Sequence, residues 1–89
     1  MVKRMKLEII YDILKVIKKN YNSIKPTPLL RQSNISSLRF KEYLSELMDK
    51  KLVKEKNHKG KKYIFLTEKG LRFLERYKII INFIDEFDL

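Results

Sequence analysis

Apolar residues recur at Leu7, Ile10, Leu14 and Ile17, and Ile9, Ile13 and Val16 widen the stripe. Steps of three and four predict a helix with one broad buried face, running to about Lys19. Asn20 and Asn22 punctuate its C-terminus. Residues 23–26 should be extended, because the residue before Pro26 is pushed out of helical space. Thr27-Pro28-Leu29-Leu30 then opens a second helix, with Thr27 as N-cap and Pro28 at the first helical position. That helix is brief and ends near Ser33-Asn34. Ile35 should be buried, and Ser36 should cap a third helix whose Phe40, Tyr43, Leu44, Leu47 and Met48 share one face up to Lys50-Lys51.

The period then changes. Residues 52–57 and 62–66 read as two short strands joined by the polar turn His58-Lys59-Gly60-Lys61, where Gly60 permits positive φ. Thr67-Glu68 caps a last helix whose apolar positions continue nearly to the C-terminus through Leu71, Leu74, Tyr77, Ile80, Ile81, Ile84 and Phe87. Three helices, a basic hairpin and a long helix make a mainly α chain with a small β-hairpin. A tight helix-turn-helix followed by a hairpin is the plan of a winged helix-turn-helix, here with an extended C-terminal helix. Residues 1–70 form the winged unit in this reading, and residues 67–89 form the helix added to it.

Length and composition narrow the chemistry. The chain has 89 residues and 44% hydrophobic content, enough for one small core. Without Cys, and with one His and two Gly, it offers no disulfide, thiolate metal site or glycine-rich phosphate loop. No cofactor or small-molecule ligand is readable. No apolar run reaches membrane-spanning length, so no membrane role is expected.

Charge points to a partner. The net charge is +10, and residues 1–78 hold all 21 basic groups with 8 acids, a balance of +13. Residues 79–89 hold only Asp85, Glu86 and Asp88. A basic body with an acidic, apolar tail suits a polyanion and leaves the tail another task. A lysine-rich surface kept for solubility accounts for the composition equally well.

The stretches NISSLRFKEYLSELMDKKLV and KKYIFLTEKGLRFLERY resemble the archaeal winged-helix DNA-binding proteins, small basic dimers of chromatin or regulatory type. The matching parts are Ile13-Leu14, Thr27, Ile35-Ser36, Tyr43-Leu44 with Leu47, Leu52-Val53 and Leu66-Thr67-Glu68-Lys69-Gly70. The last element recurs in several winged-helix families. The family usually has Gly where this chain has Lys51, and a left-handed Lys there costs about 1 kcal/mol. The resemblance implies DNA binding through the third helix and the wing, with dimerisation through the last helix.

A turn of 100° per residue, centred on Phe40, leaves Ser36, Ser37, Leu38, Arg39 and Lys41 for a DNA groove. Arg reads guanine with two hydrogen bonds, Ser reaches phosphate or base, and Leu packs on a thymine methyl. Glu46 and Asp49, further along, repel phosphate and confine contact to the first two turns. The bland alternative is a solvated face with one stray Leu. Lys59, Lys61 and Lys62, beside Lys54, Lys56 and His58, form a basic wing tip for the DNA backbone, or a charged edge that blocks aggregation. Thr27 and Arg31 belong to the helix that crosses the backbone, and Lys3-Arg4-Lys6 forms a phosphate-binding arm or a solvated terminus.

No nucleophile–base pair is evident, and Glu42, Glu46 and Asp49 read as partners of helix lysines, so the chain is not read as an enzyme. Tyr77, Ile80, Ile81, Ile84 and Phe87 extend beyond what so small a body can cover and are expected to form a homodimer interface; the alternative is a last helix folded back on the first to complete a monomeric core. The resulting expectation is a dimeric double-stranded DNA-binding protein, a transcriptional regulator or a nucleoid-associated protein of the cytoplasm. Two other readings stay open: a winged-helix protein-interaction adaptor, and a binder of RNA or single strands using Tyr11, Tyr21, Tyr63 and Phe65.

Overall fold

The computed structural model describes residues 5–89. The elements are α1 (Lys6–Lys19), α2 (Pro26–Ser33), α3 (Ser37–Asp49), β1 (Val53–His58), β2 (Lys61–Leu66) and α4 (Glu68–Glu86). The Lys3-Arg4 part of the proposed basic arm lies outside the described residues. The expected order is present, with the hairpin shifted by one residue at the start and end of β1 and at the start of β2.

One core joins all the elements. Ile9, Ile10, Ile13, Leu14 and Ile17 of α1 pack with Leu29, Phe40, Leu47, Val53, Ile64, Leu66 and Leu74. The α1 stripe is narrower than its apolar residues. Leu7 is 49% exposed and Val16 is only partly buried. Both sit about 90° from the centre of the buried arc, at its opposite edges. Ile35 is likewise half-buried against the core.

The start of α2 corrects the sequence reading. Lys25, not Thr27, is the N-cap, and it makes no side-chain cap bond. Pro26 takes the first helical position itself. Pro26 and Pro28 together remove two of the amide donors that a cap would have to satisfy. Thr27 is left exposed within the first turn. The extended segment before α2 joins the sheet, because Ile24 and Ile64 exchange backbone hydrogen bonds of 3.1 and 2.8 Å. Asn22, expected only as helix punctuation, also accepts from the Leu66 amide at 2.7 Å through its side chain.

The end of α3 is a Schellman turn. The Leu52 amide bonds the Leu47 carbonyl at 2.9 Å, and the Lys51 amide bonds that of Met48 at 3.0 Å. Lys51 has φ 60°, so the turn keeps the left-handed conformation instead of being reshaped around the missing Gly. The Leu66–Gly70 element closes this corner. The Thr67 hydroxyl donates to the Lys51 carbonyl at 2.6 Å and accepts from the Gly70 amide at 3.1 Å. Lys69 Nζ donates to the Lys50 carbonyl at 2.9 Å. A Cβ on Gly70 would collide with the Leu52 carbonyl oxygen, so only Gly lets α4 approach so closely. This five-residue element therefore clamps the end of α3 to the start of α4.

Candidate nucleic-acid interface

The α2–α3 turn sets the angle of α3. Asn34 ends α2 in left-handed conformation, φ 57°. Ser36 caps α3, its hydroxyl oxygen accepting from the Arg39 amide at 3.3 Å. Phe40 and Leu47 anchor the helix in the core. Ser36, Ser37, Leu38, Arg39 and Lys41 all remain exposed, and Leu38 is 69% exposed. The first turn of α3 holds no acid.

Arg39 and Lys41 lie on opposite flanks. Arg39 lines a groove with Lys6, Glu42, Tyr43 and Glu46, and its guanidinium carbon is 5.8 Å from the Tyr43 ring centroid. Lys41 lines a second groove with Leu44, Ser45, Met48, Asp49 and Glu55, so that groove runs between α3 and β1. Acids thus occupy both grooves beyond the first turns. Glu46 Oε1 pairs with Lys6 at 3.0 Å, and Oε2 lies 3.7 Å from Lys50. The Lys6 hydrogen bond is the main cause holding the Glu46 carboxyl below the usual carboxylate range. Lys6 is therefore committed to α3, which weakens its expected place in a free basic arm. Thr27 and Arg31 are exposed on α2.

The hairpin pairs Lys54 with Phe65, Glu55 with Ile64, Lys56 with Tyr63, Asn57 with Lys62 and His58 with Lys61. Strand alternation puts Glu55, Asn57 and Lys62 on the side of buried Ile64, towards α3, and Lys54, Lys56, His58, Lys61, Tyr63 and Phe65 on the other. The expected basic cluster is thus split: Lys61 and Lys62 face opposite ways. Lys62 lies 3.7 Å from Glu55, a pairing that chain order did not reveal. Lys59 and Gly60 form the tip, both with positive φ (52° and 76°). These are the angles of a two-residue turn matched to strand twist.

At the far end, Tyr77 packs on Tyr11 with ring centroids 4.9 Å apart and stacks with Phe73 at 5.8 Å. Burial, followed by the nearby Glu8 and Asp12 charges, raises the Tyr77 phenol pKa. Ile81 is half-buried, whereas Ile80, Phe83, Ile84 and Phe87 are 49%, 55%, 42% and 57% exposed. Of the five residues expected at a dimer interface, Tyr77 thus has a partner within its own chain. Among the described residues no group of three or more His, Asp or Glu is placed to hold a metal, and no helix is long and apolar enough to cross a membrane.

A family model described as winged helix-turn-helix matches residues 3–85. The chain belongs to that winged helix-turn-helix family. A search of curated proteins finds no match. Solved structures extend the likeness. Sso10a-2, a DNA-binding protein from Sulfolobus solfataricus, superposes with TM-score 0.80 at 21% identity, over 94% of this chain and 85% of its own. F93 from STIV, a winged-helix DNA-binding protein, gives 0.76 at 27% identity, over 89% and 91%. SSV1 F-93 gives 0.69 at 24% identity, over 96% and 99%. In winged-helix terms α3 is the second helix of the helix-turn-helix and the β1–β2 hairpin is the wing.

Proposed function

We propose that this winged-helix protein binds double-stranded DNA as a homodimer, serving as a transcriptional regulator or nucleoid-associated protein. The observation that carries the reading is the exposed N-terminal half of α3. Leu38, Arg39 and Lys41 are exposed there behind a Ser36 cap, with no acid in the first turn. That end of the helix, positive through its own dipole as well, enters the major groove. Lys59 and Lys61 lie along the backbone, with Lys62 sharing its charge with Glu55. Thr27 and Arg31 of α2 flank the groove. DNA-binding proteins among the similar structures support the reading.

Residues 1–70 are the DNA-binding unit, and α4 joins two copies through its exposed stripe. Phosphate contacts supply most of the affinity, and residues 36–41 supply the sequence preference.

A salt titration tests the reading. Duplex affinity should fall steeply with salt, and the double variant Lys59→Ala/Lys61→Ala should flatten log K against log salt by about 1.8 per wing, at about 0.9 per lost contact. The loss should be similar for specific and random duplexes. A duplex affinity independent of salt would overturn the reading, and an unchanged slope in the variant would remove the wing from it.

A further inference from the structure

The hairpin has a second face, of which the duplex reading uses only Lys61. On the side away from buried Ile64, β2 presents Tyr63 and Phe65, two residues apart and both half-buried. Across the ladder stand lysines: Lys56 opposite Tyr63 and Lys54 opposite Phe65. Lys25 Nζ lies 5.9 Å from the Tyr63 ring centroid. The two rings, with Lys56 and His58 from β1 and Asn22 and Ser23 from the preceding loop, line an open cleft of about 350 Å³. Next to that loop, Tyr21 is 96% exposed and held at φ 61°.

We propose that this face binds single-stranded nucleic acid, with Tyr63 and Phe65 as stacking surfaces and Lys25, Lys54 and Lys56 holding the phosphates. Three features carry the assignment. First, positions i and i+2 of a strand lie about 7 Å apart, roughly twice the rise per nucleotide of a stacked strand, so each ring can take one splayed base. Second, Lys54 and Lys56 stand across the ladder from the rings and Lys25 lies over the Tyr63 ring at 5.9 Å, so cations and aromatic rings share one face, which is the combination sequence-tolerant single-strand sites use. Third, the four flanking positions Lys54, Lys56, His58 and Lys61 include no acid, whereas the α3-facing side carries Glu55. That asymmetry favours a polyanion. Asn22 adds polar edge contacts at the cleft, with its Oδ1 already used by the Leu66 amide and its amide nitrogen left to donate.

The site shares only Lys61, beside the wing tip, with the duplex interface; its rings and Lys25, Lys54 and Lys56 are separate, so the two can fail separately. The test uses oligothymidylate, oligouridylate, an abasic deoxyribose-phosphate oligomer of equal length and a DNA duplex, each followed by fluorescence anisotropy. The variant Tyr63→Leu/Phe65→Leu keeps apolar bulk and removes both rings. Its affinity for one or both base-bearing single strands should fall by about tenfold or more, while duplex affinity stays within about twofold. Loss for one oligomer only would identify DNA or RNA as the strand taken. The wild type should bind the abasic oligomer about tenfold or more weakly than oligothymidylate, because stacking is lost.

Circular dichroism checks folding of the variant. The exposed Lys56→Gln variant is read alongside it and should weaken the base-bearing strands more than the duplex. Equal losses on single strand and duplex would overturn the proposal in favour of a general phosphate surface. Unchanged single-strand affinity in both variants would also overturn it, as would equal wild-type binding of abasic and base-bearing oligomers.

Discussion

Pairing through α4 can be tested by placing charge on its exposed stripe. The helix has 19 residues, about 28 Å at 1.5 Å each. Its first half is anchored by Leu74 and by Tyr77 on Tyr11. Beyond Tyr77, Ile80 and Ile84 are 49% and 42% exposed, and between and after them Phe83 and Phe87 form a ring pair 4.9 Å apart. Ile80→Glu with Ile84→Glu is the better pair to change, since Ile81 is already half-buried within its own protomer and its loss would mix folding with association. Together, the exposed parts of these two side chains amount to about one whole isoleucine per protomer, worth about 1.5–3 kcal/mol on burial. Two protomers double that to about 3–6 kcal/mol, which weakens a dimer by roughly two to four decades in Kd. The four carboxylates add to the loss. Sedimentation velocity across a concentration series reads the mass directly. The expected result is a dimeric wild type and a folded monomeric variant with weaker duplex binding. A wild type that sediments as a folded monomer at high micromolar concentration would refute the reasoning.

Other outcomes follow from single contacts. Arg39→Ala should change sequence preference as well as affinity, by about 1–3 kcal/mol on the preferred site, as read by competition with varied duplexes; a uniform loss on all sequences would reassign Arg39 to phosphate. Lys51→Gly should raise stability by about 1 kcal/mol in urea unfolding, because it relieves the left-handed Lys at the Schellman position; a loss would mean that the Lys51 side chain itself is needed. Glu46 has a lowered folded-state pKa, so its contribution is present at neutral pH, above the unfolded value, and lost as pH falls through the folded one. Glu46→Gln should therefore flatten the decline of stability at acid pH, and an unaltered acid limb in pH-dependent melting would contradict the Lys6 pairing.

Much of the fold was legible because its signals are local. The three-and-four spacing of Ile10, Leu14 and Ile17 sets the buried face of α1 whatever it packs against. Ser36 and Thr67 cap helices through bonds to amides three residues on, and Gly60 marks the hairpin turn, although the turn is two residues long and not four. Such features depend on neighbours in sequence, so spacing alone determines them. The charge asymmetry and the unshielded apolar end of α4 were equally plain in the sequence.

What tertiary structure decided depends on residues far apart in the chain. Gly70 is required by the Leu52 carbonyl, and the Asn22 side chain is engaged by an amide 44 positions away. Neither partner can be inferred from local spacing. The lysines of the wing look like one cluster in sequence, but strand alternation and the register of β1 on β2 send Lys61 and Lys62 to opposite faces and set Lys62 beside Glu55. The same register gathers Tyr63 and Phe65 beside Lys54 and Lys56, a surface that single positions did not announce. One local reading also failed: α2 starts at Pro26 because two prolines make a side-chain cap unnecessary, so Thr27 lost a role that its type favours. Sequence determined where helices and strands form, since that follows from near neighbours; tertiary structure decided which charges and rings share a surface, since that needs the register between them.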